Sequence, residues 1–326
     1  MLVVLVTEPE FRRAEAVFAS AAGMQCTPAP TGEAELARAV AESGARYVVV
    51  GHYPFTSALY NALPRGGVIA RFGVGHDSVD KAKATAAGLL CTNTPGVLDQ
   101  SVAEHAMLLI AAAARHLAMN AADMRAGTWD LGPSGTELRG KTLAVIGCGR
   151  IGRATARIAS HGFGMRVVGF RRSASRDAGK DAAFAHLTTQ FEAAVRGAHY
   201  VSLHINAEEG NRKFLNAERL AMLSAHAWVI NTARGAVLDE HALYDALANG
   251  RIAGAALDVF EREPYVPSDA SRDLRTLPNV ILTPHVGSHT YEANRGMAER
   301  ALQNIRLADA GDFGSMDLLN PDVLRQ

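Results

Sequence analysis

The sequence has little of what marks a secreted, metal-binding or membrane-inserted protein. Its 326 residues include only three cysteines, Cys26, Cys91 and Cys148. These lie far apart and match no metal-ligand spacing, so we expect no metal site and favour a reducing compartment. The apolar run at residues 1–6 has no basic segment before it and no cleavage site after it. Such a run is typical of a first β-strand and not of a signal peptide.

Long hydrophobic runs and an excess of charge of one sign are also missing. The nearest approach to a membrane span, residues 108–114, is too short to cross a bilayer. The 33 Lys and Arg residues balance the 33 Asp and Glu residues, so the formal net charge is zero. Neither nucleic acid nor a membrane surface is therefore an expected partner. We expect a cytoplasmic protein.

What the sequence does contain is a regular alternation of short apolar strands and helices. Its length, with 48% hydrophobic and 20% charged residues, predicts a globular protein of about two domains. Strands are predicted at residues 2–6, 47–50, 68–71, 89–92, 143–146, 167–170, 200–205, 228–231, 254–258 and 280–283. The main predicted helices are residues 10–21, 33–43, 101–119 and 291–309. Such alternation implies an α/β fold with parallel sheets and helical crossovers.

One glycine-rich segment, G-C-G-R-I-G at residues 147–152, stands between a predicted strand and a predicted helix. In this context Gly147 allows a tight turn, Gly149 lets the backbone approach a pyrophosphate, and Gly152 packs the helix on the strand. Backbone N–H groups near Arg150 and Ile151 then face that pyrophosphate at the positive end of the helix dipole. The alternative is a purely structural turn. Strands on both sides favour a dinucleotide site.

Four polar clusters follow predicted strand ends, at residues 73–77, 231–235, 258–264 and 283–287. Ligands of open α/β sheets bind at such ends. The guanidinium of Arg234 could grip a carboxylate through two hydrogen bonds. His285 could donate a proton to a carbonyl oxygen, and a carboxylate such as Glu263 would favour its imidazolium form. Each residue alone has an ordinary structural alternative, but together they supply what hydride transfer to a keto acid requires.

These blocks together resemble the D-isomer-specific 2-hydroxyacid dehydrogenase family, in particular its glyoxylate/hydroxypyruvate reductases, which are related to phosphoglycerate dehydrogenase. The resemblance covers most of the chain in order. It is carried by residues 73–75 with 77–80, and by residues 93–96, 101–105, 138–142, 147–152, 230–235, 255–264 and 283–288.

The resemblance implies two Rossmann-like α/β domains with parallel sheets. The substrate-binding domain would be flavodoxin-like and discontinuous, formed by residues 1–99 and 288–326. The NAD(P)-binding domain would be residues 100–287. Members of the family also form homodimers through the helix that corresponds to residues 101–119, so a homodimer is expected here.

The resemblance also implies roles for individual residues. His285 would be the acid/base and Glu263 its partner. Arg234 would bind the substrate carboxylate and polarise the carbonyl, and the backbone amides of Val74 and Gly75 would complete the carboxylate site.

A second implied set of residues would contact the cofactor. Asp258 would hold the nicotinamide carboxamide, Val102 and Ala233 would lie against the cofactor, and His285 would also reach it.

Arg171 and Arg172 depart from the pattern of NAD-linked relatives. An acidic residue usually ends the second strand of such a domain, where it accepts a hydrogen bond from the ribose 2′-OH. Arginine would instead pair with a 2′-phosphate, so the sequence favours NADP(H), with NAD(H) still possible. The alternative is that both arginines are solvated surface charges.

A second departure is the segment containing His52 and Tyr53, where phosphoglycerate dehydrogenases of the family carry an Arg-Ser pair. The two side chains could contact a small polar keto acid or could be loop packing, and both interpretations stay open. The sequence offers no account of His289. His105, Trp129 and Trp228 are predicted to be packing residues.

The predicted function is reduction of a small 2-keto acid, glyoxylate or hydroxypyruvate, with NADP(H) favoured. Two alternatives stay open. One is an NAD-linked phosphoglycerate dehydrogenase or another D-2-hydroxyacid dehydrogenase. The other is a dinucleotide-sensing, corepressor-like binding protein, since the fold also serves in that role.

Overall fold

The structure is a computed structural model that describes residues 1–130, 132–173 and 182–325. The chain divides into two compact units. One consists of Met1–Leu98 together with His289–Gln326, and the other is Asp99–Ser288. Which unit binds substrate and which binds cofactor is still a prediction from the sequence.

The discontinuous unit contains a five-stranded parallel sheet. Its strands are β1 (Leu2–Thr7), β2 (Met24–Ala29), β3 (Tyr47–Val50), β4 (Val68–Arg71) and β5 (Leu90–Thr92). Its helices are α1 (Glu8–Arg13), α2 (Glu15–Ala19), α3 (Glu33–Ser43), α4 (Ala58–Ala62), α5 (Lys81–Ala86) and, after the second crossing between units, α12 (Tyr291–Asp309). The strand order β2-β1-β3-β4-β5 is the flavodoxin-like order.

The core of this unit forms because its central strands are apolar on both faces. All four residues of β3 and all four of β4 are buried. Helix α3 begins after Gly32 and buries Leu36 and Val40, which are one turn apart on a single face. That face packs on the sheet beside Val48.

The continuous unit contains a seven-stranded parallel sheet. Its strands are β6 (Thr142–Ile146), β7 (Arg166–Phe170), β8 (His186–Thr188), β9 (Tyr200–Leu203), β10 (Trp228–Asn231), β11 (Gly254–Leu257) and β12 (Val280–Leu282). Its helices are α6 (Asp99–Ala114), α7 (Leu117–Arg125), α8 (Arg150–Arg157), α9 (Phe191–Val195), α10 (Ala217–Ala221) and α11 (Glu240–Ala248). The strand order is β12-β11-β10-β9-β6-β7-β8. Connections turn in opposite directions from β6, so the crevice beside its carboxyl end is where such folds bind dinucleotides.

The predicted single helix at residues 101–119 is wrong in its extent. Helix α6 begins two residues earlier, at Asp99, and ends at Ala114. His116 adopts a left-handed conformation (φ 49°), and α7 continues at a 67° bend. Among the described residues no single helix has the length and apolarity to cross a membrane, and α6 with α7 passes that test only as a bent pair.

The α/β fold class with two parallel sheets is confirmed, but two strands were not predicted. Both β2 and β8 lie at an edge of their sheet. Edge strands are exposed on one side and need little apolar sequence. Strand β2 contains Gln25, Thr27 and Pro28, and a proline is tolerated in a strand at such an edge.

Candidate active site

The glycine loop between β6 and α8 has the geometry that a bound pyrophosphate needs. Gly147 has φ 103°, and a Cβ there would lie 2.5 Å from the carbonyl oxygen of His204. A Cβ on Gly152 would overlap the carbonyl oxygen of Gly147, so only glycine permits this approach of helix to strand. A Cβ on Gly149 would meet no atom within 4 Å. The loop therefore leaves room in front of the backbone at its second glycine.

Helix α8 begins at Arg150, directly after Gly149. Its first-turn N–H groups, including those of Arg150 and Ile151, lack acceptors within the helix and form the positive end of the helix dipole. Gly147 N donates to Phe170 O at 2.9 Å, which joins the loop to the end of β7. These residues fit the diphosphate of a dinucleotide.

Arg171 and Arg172 follow β7 beside this loop. Arg171 N donates to Thr188 O at 3.1 Å on the neighbouring strand, and Arg171 is partly buried. Arg172 Nη2 donates to the side-chain oxygen of Asn211 at 3.0 Å. Both arginines therefore stand where Rossmann domains recognise the 2′ position of the ribose.

Three adjacent strands carry the polar residues singled out in the sequence. Strands β10, β11 and β12 are neighbours in the parallel sheet, and their carboxyl ends share one edge. Arg234 follows β10, Glu263 follows β11 and His285 follows β12. The topology brings together loops that are distant in sequence.

His285 and Glu263 form a close pair. His285 Nδ1 lies 2.6 Å from Glu263 Oε2, and both side chains are partly buried. Glu263 Oε1 accepts the Phe260 N–H at 3.0 Å, which fixes the other end of the carboxylate. Because Nδ1 faces Glu263, Nε2 is the atom that can carry a proton toward a substrate.

Arg234 lies in a turn that Asn231 shapes. The fully buried Asn231 side chain accepts from Ala233 N at 3.0 Å and donates to Arg234 O at 2.9 Å. The arginine Nη1 donates to Ala233 O at 2.6 Å. The next residue, Gly235, lies directly against the peptide that joins Phe260 to Glu261, and any Cβ would overlap it. The arginine loop and the Glu263 loop are thus packed together.

Asp258 supports the turn that carries His285. Its carboxylate is 1% exposed and accepts from Val286 N at 2.9 Å, Gly287 N at 2.8 Å and Thr283 Oγ1 at 2.6 Å. Burial alone would raise the pKa of Asp258, but hydrogen bonds from His105, Thr283 and Val286 together hold it below its ordinary value. This turn needs support because His285 has a left-handed backbone (φ 53°), which is costly for a side chain other than glycine. The predicted contact of Asp258 with a nicotinamide carboxamide stays a prediction.

We expect Asp258→Asn to destabilise the protein by about 2–4 kcal/mol, because an amide group would face a backbone N–H and the charge-assisted hydrogen bonds would be lost. Urea unfolding at neutral pH measures this. The contribution of Asp258 is present above its unfolded pKa of about 3.9 and is lost as pH falls through the depressed folded value. The difference between variant and parent should therefore shrink in acid.

Asp245→Asn is the matched control for this measurement. Asp245 pairs with Arg272 at 2.9 Å but is 53% exposed, so its loss should cost less than about 1 kcal/mol. Equal costs for the two substitutions would contradict the supporting role of Asp258.

Some residues differ from their sequence predictions. His105 is not simply a packing residue, since its Nε2 lies 3.3 Å from Asp258 Oδ1 and 3.2 Å from Thr283 Oγ1. Trp129 is 84% exposed, so the packing prediction for it is wrong within this chain. Trp228 does pack, with its ring against Gly254. Val102 is buried on α6, and Ala233 is partly buried in the arginine turn.

Two residues near the site had no role assigned from the sequence. In the sequence, Asn231 was noted only as part of the cluster at residues 231–235. Its two side-chain hydrogen bonds, to Ala233 N and Arg234 O, form only in the folded turn. His204 follows β9 beside Gly147, and its Nε2 lies 2.9 Å from Ser202 Oγ. Burial lowers the pKa of His204 to about 4, so its ring is neutral at physiological pH.

The remaining predicted site residues belong to the other unit. Val74 and Gly75 follow β4, where Asn93 donates to Val74 O at 2.8 Å and Gly73 N donates to Thr94 Oγ1 at 3.0 Å. This bracing holds the backbone of the predicted carboxylate loop. Their grouping with Arg234 and His285 stays a prediction.

His52, Tyr53 and His289 also lie in that unit. The rings of His52 and Tyr53 stack with centroids 4.8 Å apart. Tyr53 is 38% exposed, so its ring is not packed away in the core. His289 lies before α12, with Nδ1 3.5 Å from the amide nitrogen of Asn294.

A histidine–carboxylate pair, in a unit that also holds a glycine loop between a strand and a helix, is typical of a pyridine-nucleotide-linked oxidoreductase. That is the class of protein to which this fold and site correspond.

Comparison with known proteins narrows the class. The profile of the D-isomer specific 2-hydroxyacid dehydrogenase NAD binding domain matches residues 107–287. A glyoxylate reductase of Thermococcus litoralis is 38% identical over 274 residues, covering 82% of this chain and 80% of the relative. A hydroxypyruvate reductase of Thermotoga maritima is 38% identical over 240 residues, covering 73% of this chain and 76% of the relative.

A solved structure shows similarity to the same group of reductases. The NADPH-dependent glyoxylate/hydroxypyruvate reductase of Sinorhizobium meliloti, in complex with NADP and malonate, is similar with a TM-score of 0.78 and 30% identity, covering 94% of this chain and 93% of that one. The chain belongs to the D-isomer specific 2-hydroxyacid dehydrogenase family. It is therefore an oxidoreductase with an NAD-binding domain, and the family predicted from the sequence is confirmed.

Proposed function

We propose that the protein reduces a small 2-keto acid, glyoxylate or hydroxypyruvate, to the 2-hydroxy acid. The observation that carries the proposal is the 2.6 Å contact between His285 Nδ1 and Glu263 Oε2, on loops beside the Arg234 loop. Similarity to glyoxylate and hydroxypyruvate reductases supports this substrate class. In the proposal, the unit with the glycine loop binds the cofactor and the discontinuous unit binds the substrate.

Each side chain has a separate task in this reaction. A reduced nicotinamide cofactor, held at the glycine loop, would supply the hydride that reduces the keto carbon. His285 gives the proton on Nε2 to the carbonyl oxygen, and Glu263 stabilises the imidazolium beforehand and keeps Nδ1 turned away. Arg234 holds the substrate carboxylate through its two parallel N–H groups and polarises the adjacent carbonyl.

The proposed substrate site also uses the backbone amides of Val74 and Gly75. Asn93 and Thr94 hold this loop from behind, which supports a fixed position for the amides. The stacked rings of His52 and Tyr53 replace the Arg-Ser pair of phosphoglycerate dehydrogenases. Without that arginine, a small unphosphorylated acid fits better than a phosphorylated one.

We further propose that NADP(H) is preferred over NAD(H). Arg171 and Arg172 stand at the end of β7, where an acid would repel a 2′-phosphate. The hydrogen bond from Arg172 to Asn211 limits the positions that the guanidinium can take. The NADP-bound relative from Sinorhizobium meliloti supports the same preference.

Replacing Arg171 and Arg172 together by alanine should raise the KM for NADPH by about 10- to 100-fold, because one or two charge-assisted hydrogen bonds to the phosphate are lost. The KM for NADH should change little. Steady-state kinetics with both cofactors measures this. Arg166→Ala is the control, since Arg166 is an exposed arginine at the opposite end of the same strand. An equal effect on NADH would contradict recognition of the 2′-phosphate.

A panel of keto acids tests the proposed function. The purified protein is mixed with NADPH or NADH and glyoxylate, hydroxypyruvate, phosphohydroxypyruvate or pyruvate, and loss of reduced-cofactor absorbance is followed. Fastest turnover with glyoxylate or hydroxypyruvate supports the proposal. Preference for the phosphorylated acid would indicate a phosphoglycerate dehydrogenase, and cofactor binding without any turnover would indicate a sensor.

The proposed assembly is a homodimer in the cytoplasm. Large apolar side chains on or just after α6 and α7 are exposed: Leu108 (55%), Leu117 (53%), Met124 (56%) and Trp129 (84%). A surface of this kind is typical of a protein interface, and family members pair through the corresponding helix. Light scattering gives the molar mass, and a monomer at micromolar concentration would contradict the proposed dimer.

A further inference from the structure

Glu240 is a buried carboxyl group for which the mechanism above gives no use. It is the first residue of α11 and is 6% exposed. The helix does not need it as a cap, because Asp239 is the N-cap and accepts from Ala242 N at 3.2 Å. Burying a carboxylate is costly unless it forms hydrogen bonds. Its contacts therefore indicate what it does.

The carboxylate of Glu240 holds the loop after β11. Its Oε1 accepts the backbone N–H of Glu261 at 2.5 Å, and the Glu240 N–H in turn donates to Glu261 Oε1 at 3.3 Å. The peptide that joins Phe260 to Glu261 is thereby fixed on one side by Glu240 and on the other by Gly235, which permits no Cβ there.

The Phe260–Glu261 peptide lies next to the peptide that binds the Glu263 carboxylate of the His285–Glu263 pair. The Phe260 N–H, on the adjacent peptide, donates to Glu263 Oε1 at 3.0 Å, while Glu263 Oε2 faces His285 at 2.6 Å. Displacement of the Phe260–Glu261 peptide would redirect the chain that leads to Glu263 and would move the Glu263 carboxylate away from the Phe260 N–H. The carboxylate would then lose one of the two contacts that define its position.

We propose that Glu240 is a positioning residue that, through the Glu261 N–H, sets where the Glu263 carboxylate meets His285. This proposal rests on the proposed function of the His285–Glu263 pair. Gly235 belongs to the loop that carries Arg234. The hydrogen bond from the Glu261 N–H to Glu240, which we call the tether, therefore also holds the Arg234 loop against the Glu263 loop. Glu240 itself does not touch the reacting atoms.

The charges around Glu240 agree with a tether and not with an ion pair. Burial raises the pKa of Glu240, and the neighbouring carboxylates Glu261 and Glu263 raise it further, while the Glu261 N–H and His241 lower it. The nearby cation Lys213 lies instead beside Asp239 and Glu261, at 3.1 Å and 3.9 Å. An acceptor oxygen is therefore what the position needs, and a neutral amide could provide it.

The test compares Glu240→Ala with Glu240→Gln in the complete protein. Alanine removes the acceptor, so kcat should fall about 10- to 100-fold while the KM values for keto acid and cofactor stay within about threefold. Glutamine keeps a carbonyl oxygen, so its kcat should stay within about threefold of the parent.

Two further variants keep the test decisive. Glu240→Asp retains the charge but withdraws the oxygen by one methylene, so it should behave like alanine even if the alanine variant does not fold. Glu192→Ala removes an exposed carboxylate on α9 in the same unit, so as the control it should keep the parent kcat. Thermal melts show whether each variant is folded.

The proposed role of Glu240 is wrong if Glu240→Ala or Glu240→Asp is folded and keeps the parent kcat. It is also wrong if folded Glu240→Gln is as impaired as alanine, since charge would then matter and not the acceptor. A parent protein without turnover on any keto acid would contradict the proposed function instead. The two failures are therefore distinguishable.

Discussion

Replacing His285 by glutamine is expected to lower kcat for keto-acid reduction by about 10²- to 10⁴-fold, the usual contribution of general acid catalysis. Glutamine is similar in length and its amide can still donate to Glu263, but it cannot transfer a proton. Cofactor affinity, measured by fluorescence titration with NADPH, should change little because the glycine loop lies on a different strand. The substitution should therefore lower kcat without a comparable loss of NADPH affinity.

A second histidine substitution in the same unit serves as the comparison for His285→Gln. His161→Gln is the matched control, since His161 is an exposed histidine in the same unit, just beyond α8. Parent-like turnover in His285→Gln would remove the proposed acid from the mechanism.

The fold could be predicted wherever burial dictates sequence. Strands β3, β4 and β10 were predicted with their observed bounds, because strands buried on both faces require apolar runs. Helices α3 and α12 were also predicted to the residue. Edge strands β2 and β8 were missed because exposure relaxes the pattern, and the bend at His116 depends on one backbone angle that composition does not reveal.

The site could be predicted at the level of residue types but not of contacts. Arg234, Glu263 and His285 stand out because each is a reactive side chain after a strand. The role of Asp258 could not be predicted in this way. Its hydrogen-bond partner Val286 lies 28 residues away in the sequence and comes close only when β11 and β12 pair. Glu240 was overlooked for the same reason, because on sequence alone it is an ordinary acid in a first helical turn.

The second large effect is expected from substitution of Arg234. Arg234→Lys should raise the KM for glyoxylate by about 10- to 100-fold with a smaller fall in kcat, because an ammonium group cannot reproduce two parallel N–H donors. The Asn231 amide holds the backbone of this turn, so the lysine should start from the same position as the arginine. The loss should therefore come from the head group and not from a displaced loop.

A substrate without a carboxylate separates these causes. Acetaldehyde offers a carbonyl for reduction but no carboxylate, so Arg234→Lys should reduce its kcat/KM far less than that of glyoxylate. Arg212→Lys, at an exposed arginine in the same unit, should leave both values unchanged. An equal loss with acetaldehyde and glyoxylate would mean that Arg234 acts only on the carbonyl or on the loop and does not bind the carboxylate. In that case the carboxylate would have to be bound elsewhere, with the backbone amides of Val74 and Gly75 as the remaining candidates.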